Sequence, residues 1–310
     1  MTIHKSVLLN EAIGGLNLKS GDIFFDGTLG GGGHSQKVCE LFGKSVKIIG
    51  VDKDSQAVKR ATEKFETLDC DFNFQTASFR NIGEVLDNLN LKEVNGILLD
   101  LGLSSDQIED SSRGFSFQKD EPLIMTFSKE YENGTTTAQT VINEWSEETL
   151  ADILFGYADE RYARKIAKKI AEVRRIKPIE KTFELVEIIK SAVPVGYRKG
   201  RIHFATKTFQ AIRIAVNDEL EALKEGLAES FEKLARGGRM AIISFHSGED
   251  RIVKNFFKNK KAVSGGFIAT KKPIIASEEE LARNPRARSA KLRIFEKSTA
   301  PILNFEHLKI

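Results

Sequence analysis

Three aspartates each close a short apolar run, and that placement has chemical consequences. Asp26 ends Ile23-Phe24-Phe25, Asp52 ends Val46-Lys47-Ile48-Ile49-Gly50-Val51, and Asp100 ends Gly96-Ile97-Leu98-Leu99. In a doubly wound sheet, ligands bind beyond the carboxyl ends of the strands, so carboxylates there meet a bound molecule. Directly after Asp26 comes Gly27-Thr28-Leu29-Gly30-Gly31-Gly32-Gly33-His34, a glycine turn that opens a helix. Glycines let the backbone approach a ligand closely. Asp52 stands where a carboxylate accepts the ribose hydroxyl protons of a nucleoside cofactor. That position suits NAD as well as S-adenosylmethionine. A dinucleotide, however, needs helix-terminal amides aimed at a pyrophosphate, typically in a G-x-G-x-x-G turn. Here the glycine spacing differs, and Asp26 guards the loop entrance. A carboxylate there repels phosphate and suits the ammonium of a methionyl group. The residues thus favour S-adenosylmethionine, gripped at opposite ends by Asp26 and Asp52. Phe79, after the third strand, can stack beside an adenine or serve as ordinary core.

Asp100 falls on the target side, where the transferred methyl group meets its acceptor. Methylation at a pyrimidine C5 needs a cysteine nucleophile. Neither Cys39 nor Cys70 stands near the fourth strand, and both read as structural thiols rather than as a disulfide framework or a zinc site. An exocyclic amine needs only alignment and an acceptor for its proton, which Asp100 can provide.

The elements that must position these groups follow from periodicity. Strand and helix signals alternate over the first hundred residues: strands at 23–25, 46–51, 72–75 and 96–99, with helices at 34–42 and 56–65 between them. Alternation of this kind implies an α/β parallel sheet. From about 105 to 204 the strand signal disappears, and helical periods run through 147–156, 161–174 and 183–192. Alternation then returns with a helix at 217–235, capped by Asn217 and stopped at Gly237-Gly238. A strand at 240–245, a helix at 249–258 and a strand at 292–295 complete it. The expected architecture is one doubly wound domain, 1–105 and 206–310, interrupted by an all-α insertion, 106–205.

The 310 residues carry 47 Lys and Arg against 44 Asp and Glu, a net charge of +3, so distribution matters more than the sum. Within the insertion Arg161, Arg164, Lys165, Lys168, Lys169, Arg174, Arg175 and Lys177 crowd one stretch. Arg198, Lys199, Arg201, Lys207 and Arg213 follow, interleaved with Tyr197, His203, Phe204 and Phe209. Such a mixture suits phosphates and unpaired bases; its plainer reading is a solvated face. No leader-like or membrane-length apolar run is evident, which points to a cytoplasmic protein without a membrane partner.

Taken together, the words His4-Lys5-Ser6-Val7-Leu8-Leu9, Asp26 through His34, Gly96 through Ser105, Arg113-Gly114-Phe115-Ser116-Phe117, Thr208-Phe209-Gln210-Ala211-Ile212-Arg213, Ser244-Phe245-His246-Ser247 with Glu249-Asp250-Arg251, and Asn284-Pro285-Arg286-Ala287-Arg288 resemble the bacterial 16S rRNA (cytosine-N4)-methyltransferases of the RsmH or MraW type. The resemblance implies a class I, Rossmann-like methyltransferase fold with an inserted helical domain for RNA recognition. It implies N4-methylation of a cytosine in the decoding, P-site region of 16S rRNA within the small ribosomal subunit, by a monomer or homodimer. By position it assigns cofactor contacts to Gly32, Gly33, His34, Asp52, Phe79, Asp100 and Gln107, and no metal. Where such proteins usually read Asp-Gly-Pro-Leu-Asp-Met-Arg-Met-Asp, this chain has Asp120-Glu121-Pro122-Leu123-Ile124-Met125-Thr126-Phe127-Ser128. Those lost polar residues motivate an alternative, an RNA-binding or ribosome-assembly protein that retains the fold with weakened catalysis.

Overall fold

The computed structural model describes residues 6–102, 112–128, 134–264 and 266–300. The chain divides into two compact units, one formed by Met1–Gly102 with Ala222–Ile310, the other by Leu103–Glu221.

In the first unit α1 (Leu9–Leu16), α2 (Gly33–Phe42), α3 (Ser55–Phe65) and α4 (Ile82–Asn88) alternate with β1 (Ile23–Asp26), β2 (Lys47–Asp52), β3 (Asp71–Thr76) and β4 (Val94–Asp100). The strands β5 (Leu234–Ser244), β6 (Phe267–Ile268) and β7 (Lys291–Glu296) complete a seven-stranded sheet of order β3-β2-β1-β4-β5-β7-β6. Pairing is parallel from β3 to β5, and β7 runs antiparallel to β5 and β6. This is a doubly wound, Rossmann-like arrangement with an antiparallel strand added at one side.

The sequence builds it through period-two alternation. Phe24, Ile48, Leu98 and Ala241 face one apolar layer, with α1 residues Ala12, Ile13 and Leu16. Their successors Phe25, Ile49, Leu99 and Ile242 face the other, with Val85, Leu86, Leu223 and Leu227. Successive side chains of a strand point to opposite faces, so nearly continuous apolar runs mark a sheet covered on both sides. The chain order reverses between β1 and β4, which places the ligand crevice beyond their carboxyl ends.

The second unit is helical: α5 (Ala138–Glu144), α6 (Glu147–Ala158), α7 (Ala163–Arg174), α8 (Thr182–Ala192), the single-turn α9 (Val195–Arg198) and α10 (Thr206–Asn217). Ser146 and Thr137 cap α6 and α5, each accepting from a backbone N–H three residues on. Leu150, Ile153, Leu154, Ile166, Ile170, Leu185, Ile189 and Ile212 form its core.

The expected return to the sheet at 206 is corrected by α10, whose Phe209, Ala211 and Ile212 belong to the helical core. Asn217 does not cap the next helix. Its side chain donates to Met125 O and Arg213 O and accepts from Phe127 N, all within the helical unit. The following helix, α11 (Glu219–Lys233), starts after Asp218 adopts a left-handed conformation at φ 50°. Gly237-Gly238 lies inside β5 rather than in a helix stop. The longer α12 (Ser247–Ser264) follows β5, and the short α13 (Glu278–Arg283) precedes β7. Among the described residues, no helix is long and apolar enough to cross a membrane.

Cys39, near the end of α2, and Cys70, just before β3, are bonded to one another, with Cα atoms 5.7 Å apart. The expectation of two separate thiols is therefore corrected. Parallel pairing of β2 with β3 brings the start of β3 under the last turn of α2, and that convergence is not visible in linear spacing.

Candidate active site

The glycine loop is held by the strands it leaves. Gly27 N–H donates to Leu98 O and Leu29 N–H to Val51 O, both at 2.9 Å. Gly32 N–H donates to Leu29 O, and Gly32 takes a left-handed φ of 71° as it enters α2. An L side chain rarely adopts that angle, and a Cβ there would press on the Phe65 ring at 3.2 Å. A Cβ on Gly33 would overlap Ser6 Oγ.

Asp26 lies beneath this loop rather than at its mouth. It is only 1% exposed, and its oxygens accept from Ser35 Oγ at 2.7 Å and Thr28 N at 3.2 Å. Burial is the main cause that pushes its carboxyl up to about 6. Both oxygens brace the loop, one through Ser35 and one through Thr28. Asp52 accepts from Gly30 N at 2.8 Å and from Asp54 N at 2.9 Å. It is partly exposed at the tip of β2, and burial raises its proton affinity.

Asp100 occupies the tip of β4, aligned with Ile243 of β5. Its N–H donates to Thr28 Oγ1 at 2.7 Å, which ties the strand tip to the glycine loop. Its Oδ1 is buried and, among the described residues, has no hydrogen-bond partner. Its Oδ2 lies 3.9 Å from His34 Nδ1. His34 is 5% exposed and its Nε2 donates to Val7 O at 3.1 Å, since a carbonyl only accepts. Burial first, then the charges of Asp26 and Glu249, hold the Asp100 carboxyl well above the usual carboxylate range. A buried carboxyl that resists losing its proton is a competent proton acceptor once ionised.

Phe79 starts a 3-10 turn, with its ring against Gly226 of α11 and its Cβ close to Gly27. Its side chain is partly buried. Gln107 lies outside the described residues. The structure thus gathers Asp26, Gly32, Gly33, His34, Asp52, Phe79 and Asp100 around the switch point. It also brings in Thr28, Ser35, His246 and Glu249, to which sequence reasoning assigns no role. Thr28 and Ser35 are hidden in and beside the glycine word. Glu249 carries one available signal, a carboxylate shortly after a strand end that also begins a helix.

Three acidic side chains around glycines with no room for side chains suit a cationic nucleoside, and a polyanionic pyrophosphate would be repelled. The fold and this site define an S-adenosylmethionine-dependent methyltransferase. The MraW methylase family matches residues 1–298, and the chain belongs to that family. It is 41% identical over 312 residues to ribosomal RNA small subunit methyltransferase H of Brevibacillus brevis, covering 95% of this chain and 98% of that protein. Among solved structures it is similar to an rRNA methylase from Streptococcus thermophilus (10% identity, TM-score 0.41, 94% and 92% of the two chains). It is also similar to TrmN from Thermus thermophilus (11% identity, TM-score 0.45, 94% and 48%).

Proposed function

We propose that this enzyme transfers a methyl group from S-adenosylmethionine to N4 of a cytosine in the decoding, P-site region of 16S rRNA, acting in the cytoplasm on the small ribosomal subunit. The observation that carries the reading is Asp100: a half-buried carboxylate at the tip of β4 with one oxygen unclaimed among the described residues. No cysteine shares that tip, since Cys39 and Cys70 are bonded to each other elsewhere. The site therefore lacks the nucleophile that C5 chemistry requires and offers the acceptor that an amine requires. The likeness to the Brevibacillus brevis enzyme supports an rRNA target.

Asp52, with Gly32 and Gly33, holds the nucleoside end of the donor, and Phe79 walls the adenine. Asp100 faces the methionyl end and the target amine; His34 fixes Asp100 from behind. Gln107 is assigned here only by family resemblance. When bound, S-adenosylmethionine supplies an electrophilic methyl on a positively charged sulfur. The protein aligns the amine with that methyl, excludes water and takes the N–H proton on Asp100.

The helical unit is the proposed RNA-recognition domain. Arg161, Arg164, Lys165, Lys168 and Arg175 are exposed along and beside α7, whose opposite face buries Ile166, Ala167 and Ile170. Other basic residues of the same stretches are engaged internally: Arg174 donates to Ile142 O, Lys207 to Asp159 O, and Arg213 pairs with Glu219. Phe115 and Phe209 are 8% and 4% exposed, so they are core rather than surfaces for a base.

The test is tritium transfer from labelled S-adenosylmethionine to 30S subunits lacking the modification, followed by nucleoside analysis. Label in N4-methylcytidine is expected, and Asp100→Asn should reduce it on the order of 100-fold or more. No transfer, with RNA binding retained, would instead favour the assembly-protein reading.

A further inference from the structure

The chemistry proposed above uses Asp100 but leaves a second buried carboxylate, Glu249, unassigned. Glu249 is 3% exposed and lies in the first turn of α12, directly after β5. Its Oε2 accepts from Phe245 N at 2.8 Å and His246 N at 3.3 Å, closing the turn between β5 and α12. Its Oε1 lies 3.2 Å from His246 Nε2, and His246 is itself 11% exposed at its side chain. This turn adjoins Asp100. Asp100 is aligned with Ile243, and Leu101 N–H donates to Ile243 O at 2.9 Å. Phe245 follows two residues later, and its ring packs where a Gly102 Cβ would stand. Paired strands lie about 4.8 Å apart and rise about 3.3 Å per residue, so the Phe245 amide that donates to Glu249 lies within roughly 10 Å of the Asp100 backbone, and the Glu249 charge acts on the Asp100 carboxyl. Buried charges at that range are weakly screened.

We propose that Glu249, held by the backbone amides of Phe245 and His246, is a positioning residue that acts through Asp100: it holds the β5 turn in place and its negative charge strengthens Asp100 as the acceptor of the target amine's proton. The inference rests on the amine-methylation reading above. In that reaction the N4 lone pair forms the new N–C bond and the C–S bonding pair stays with sulfur. One N–H proton passes to Asp100, and the N–H pair returns to nitrogen. The described groups that face Asp100 are Asp26 from the β1 tip, His34 from α2, and Glu249 with His246 from the β5 turn. Asp26 and Glu249 both raise its affinity for a proton, and Glu249 is the one whose oxygens do not also brace the glycine loop.

The experiment compares wild type, Glu249→Gln and Glu249→Asp in two readouts. The first is the pH profile of kcat for methyl transfer to 30S subunits. Removing the charge in Glu249→Gln should move the acidic limb down on the order of one pH unit and lower the plateau about tenfold. Glu249→Asp, which keeps the charge, should leave the limb at its parent position. The second readout is calorimetry of donor binding in buffers of different ionisation heat, without RNA. Wild type should release protons as the cationic donor meets a partly protonated cluster, and Glu249→Gln should release fewer. An unmoved limb with unchanged proton release overturns the inference, whatever the loss of rate. Failure of wild type to transfer label would instead sink the underlying reading. Should the Gln variant not fold, carbon-detected titration of wild-type Asp100 and Glu249 decides the matter: mutually dependent titrations support the coupling, and independent ones overturn it.

Discussion

Asp26 shows how a residue's type can be legible while its partners are not. The sequence places a carboxylate beside a glycine loop, and electrostatics suggests an ammonium partner. The folded chain buries it and gives it Ser35 and Thr28 as partners. Linear spacing does not say which side of a strand tip a side chain takes, and a hydroxyl nine residues away cannot be recognised as its partner. The burial has a measurable consequence. A carboxyl raised from 3.8 to about 6 binds its proton more tightly in the folded state than in the unfolded one. Its contribution to stability is complete below the unfolded value and is lost as pH rises through about 6. At roughly 1.4 kcal/mol per unit, that loss is on the order of 3 kcal/mol. Asp26→Asn cannot ionise, so its stability relative to wild type should rise by about that amount between roughly pH 3.5 and 7. Urea unfolding of both proteins across that range measures it, and parallel pH curves would show that the group is not buried as described.

Among elements, the strands are the most readable, because a near-continuous apolar run that ends in aspartate fits a buried parallel strand and little else. All four strands of the first hundred residues appear within a residue or two of the expected bounds, although β3 (Asp71–Thr76) is half-buried and does not end in aspartate. The boundary at Asn217 is not readable, since an asparagine before a helical period looks like a cap. Here its amide reaches Met125 and Phe127, 92 and 90 residues away, a tertiary contact invisible to local rules. The Cys39–Cys70 link is of the same kind: two elements converge through β-pairing. Purified without reductant, the protein should show no titratable thiol under denaturing conditions and two after reduction. A chain-entropy argument for the closed loop gives about 3–4 kcal/mol of stability to the bond. Cys39→Ser should therefore lower the melting temperature by several degrees; an unchanged melting temperature would show that the bond contributes nothing.

At the scale of the whole molecule, the disappearance and return of strand signals point to two units, but they put the second boundary too early, at 206 rather than after Glu221. The reason is α10, whose amphipathic period reads equally well as a sheet-covering helix and as part of a bundle. The division of labour between the units is testable. Changing Arg161, Arg164, Lys165 and Lys168 together to Ala should weaken binding to 16S rRNA. It should also flatten the dependence of affinity on salt, by about one unit of slope for each phosphate that is no longer neutralised. Donor affinity by calorimetry should not change. An unaltered salt slope would mean that this face of α7 is only solvated.

The hydroxyl of Thr28 ties the Asp100 backbone to the glycine loop. One hydrogen bond thus joins the glycine loop to the residue proposed to take the proton. A lineage drifting toward a different nucleoside donor would have to reshape that loop, and each such change would tug on the acceptor as well. On the proposed roles, specificity for the donor and competence toward the target would change together.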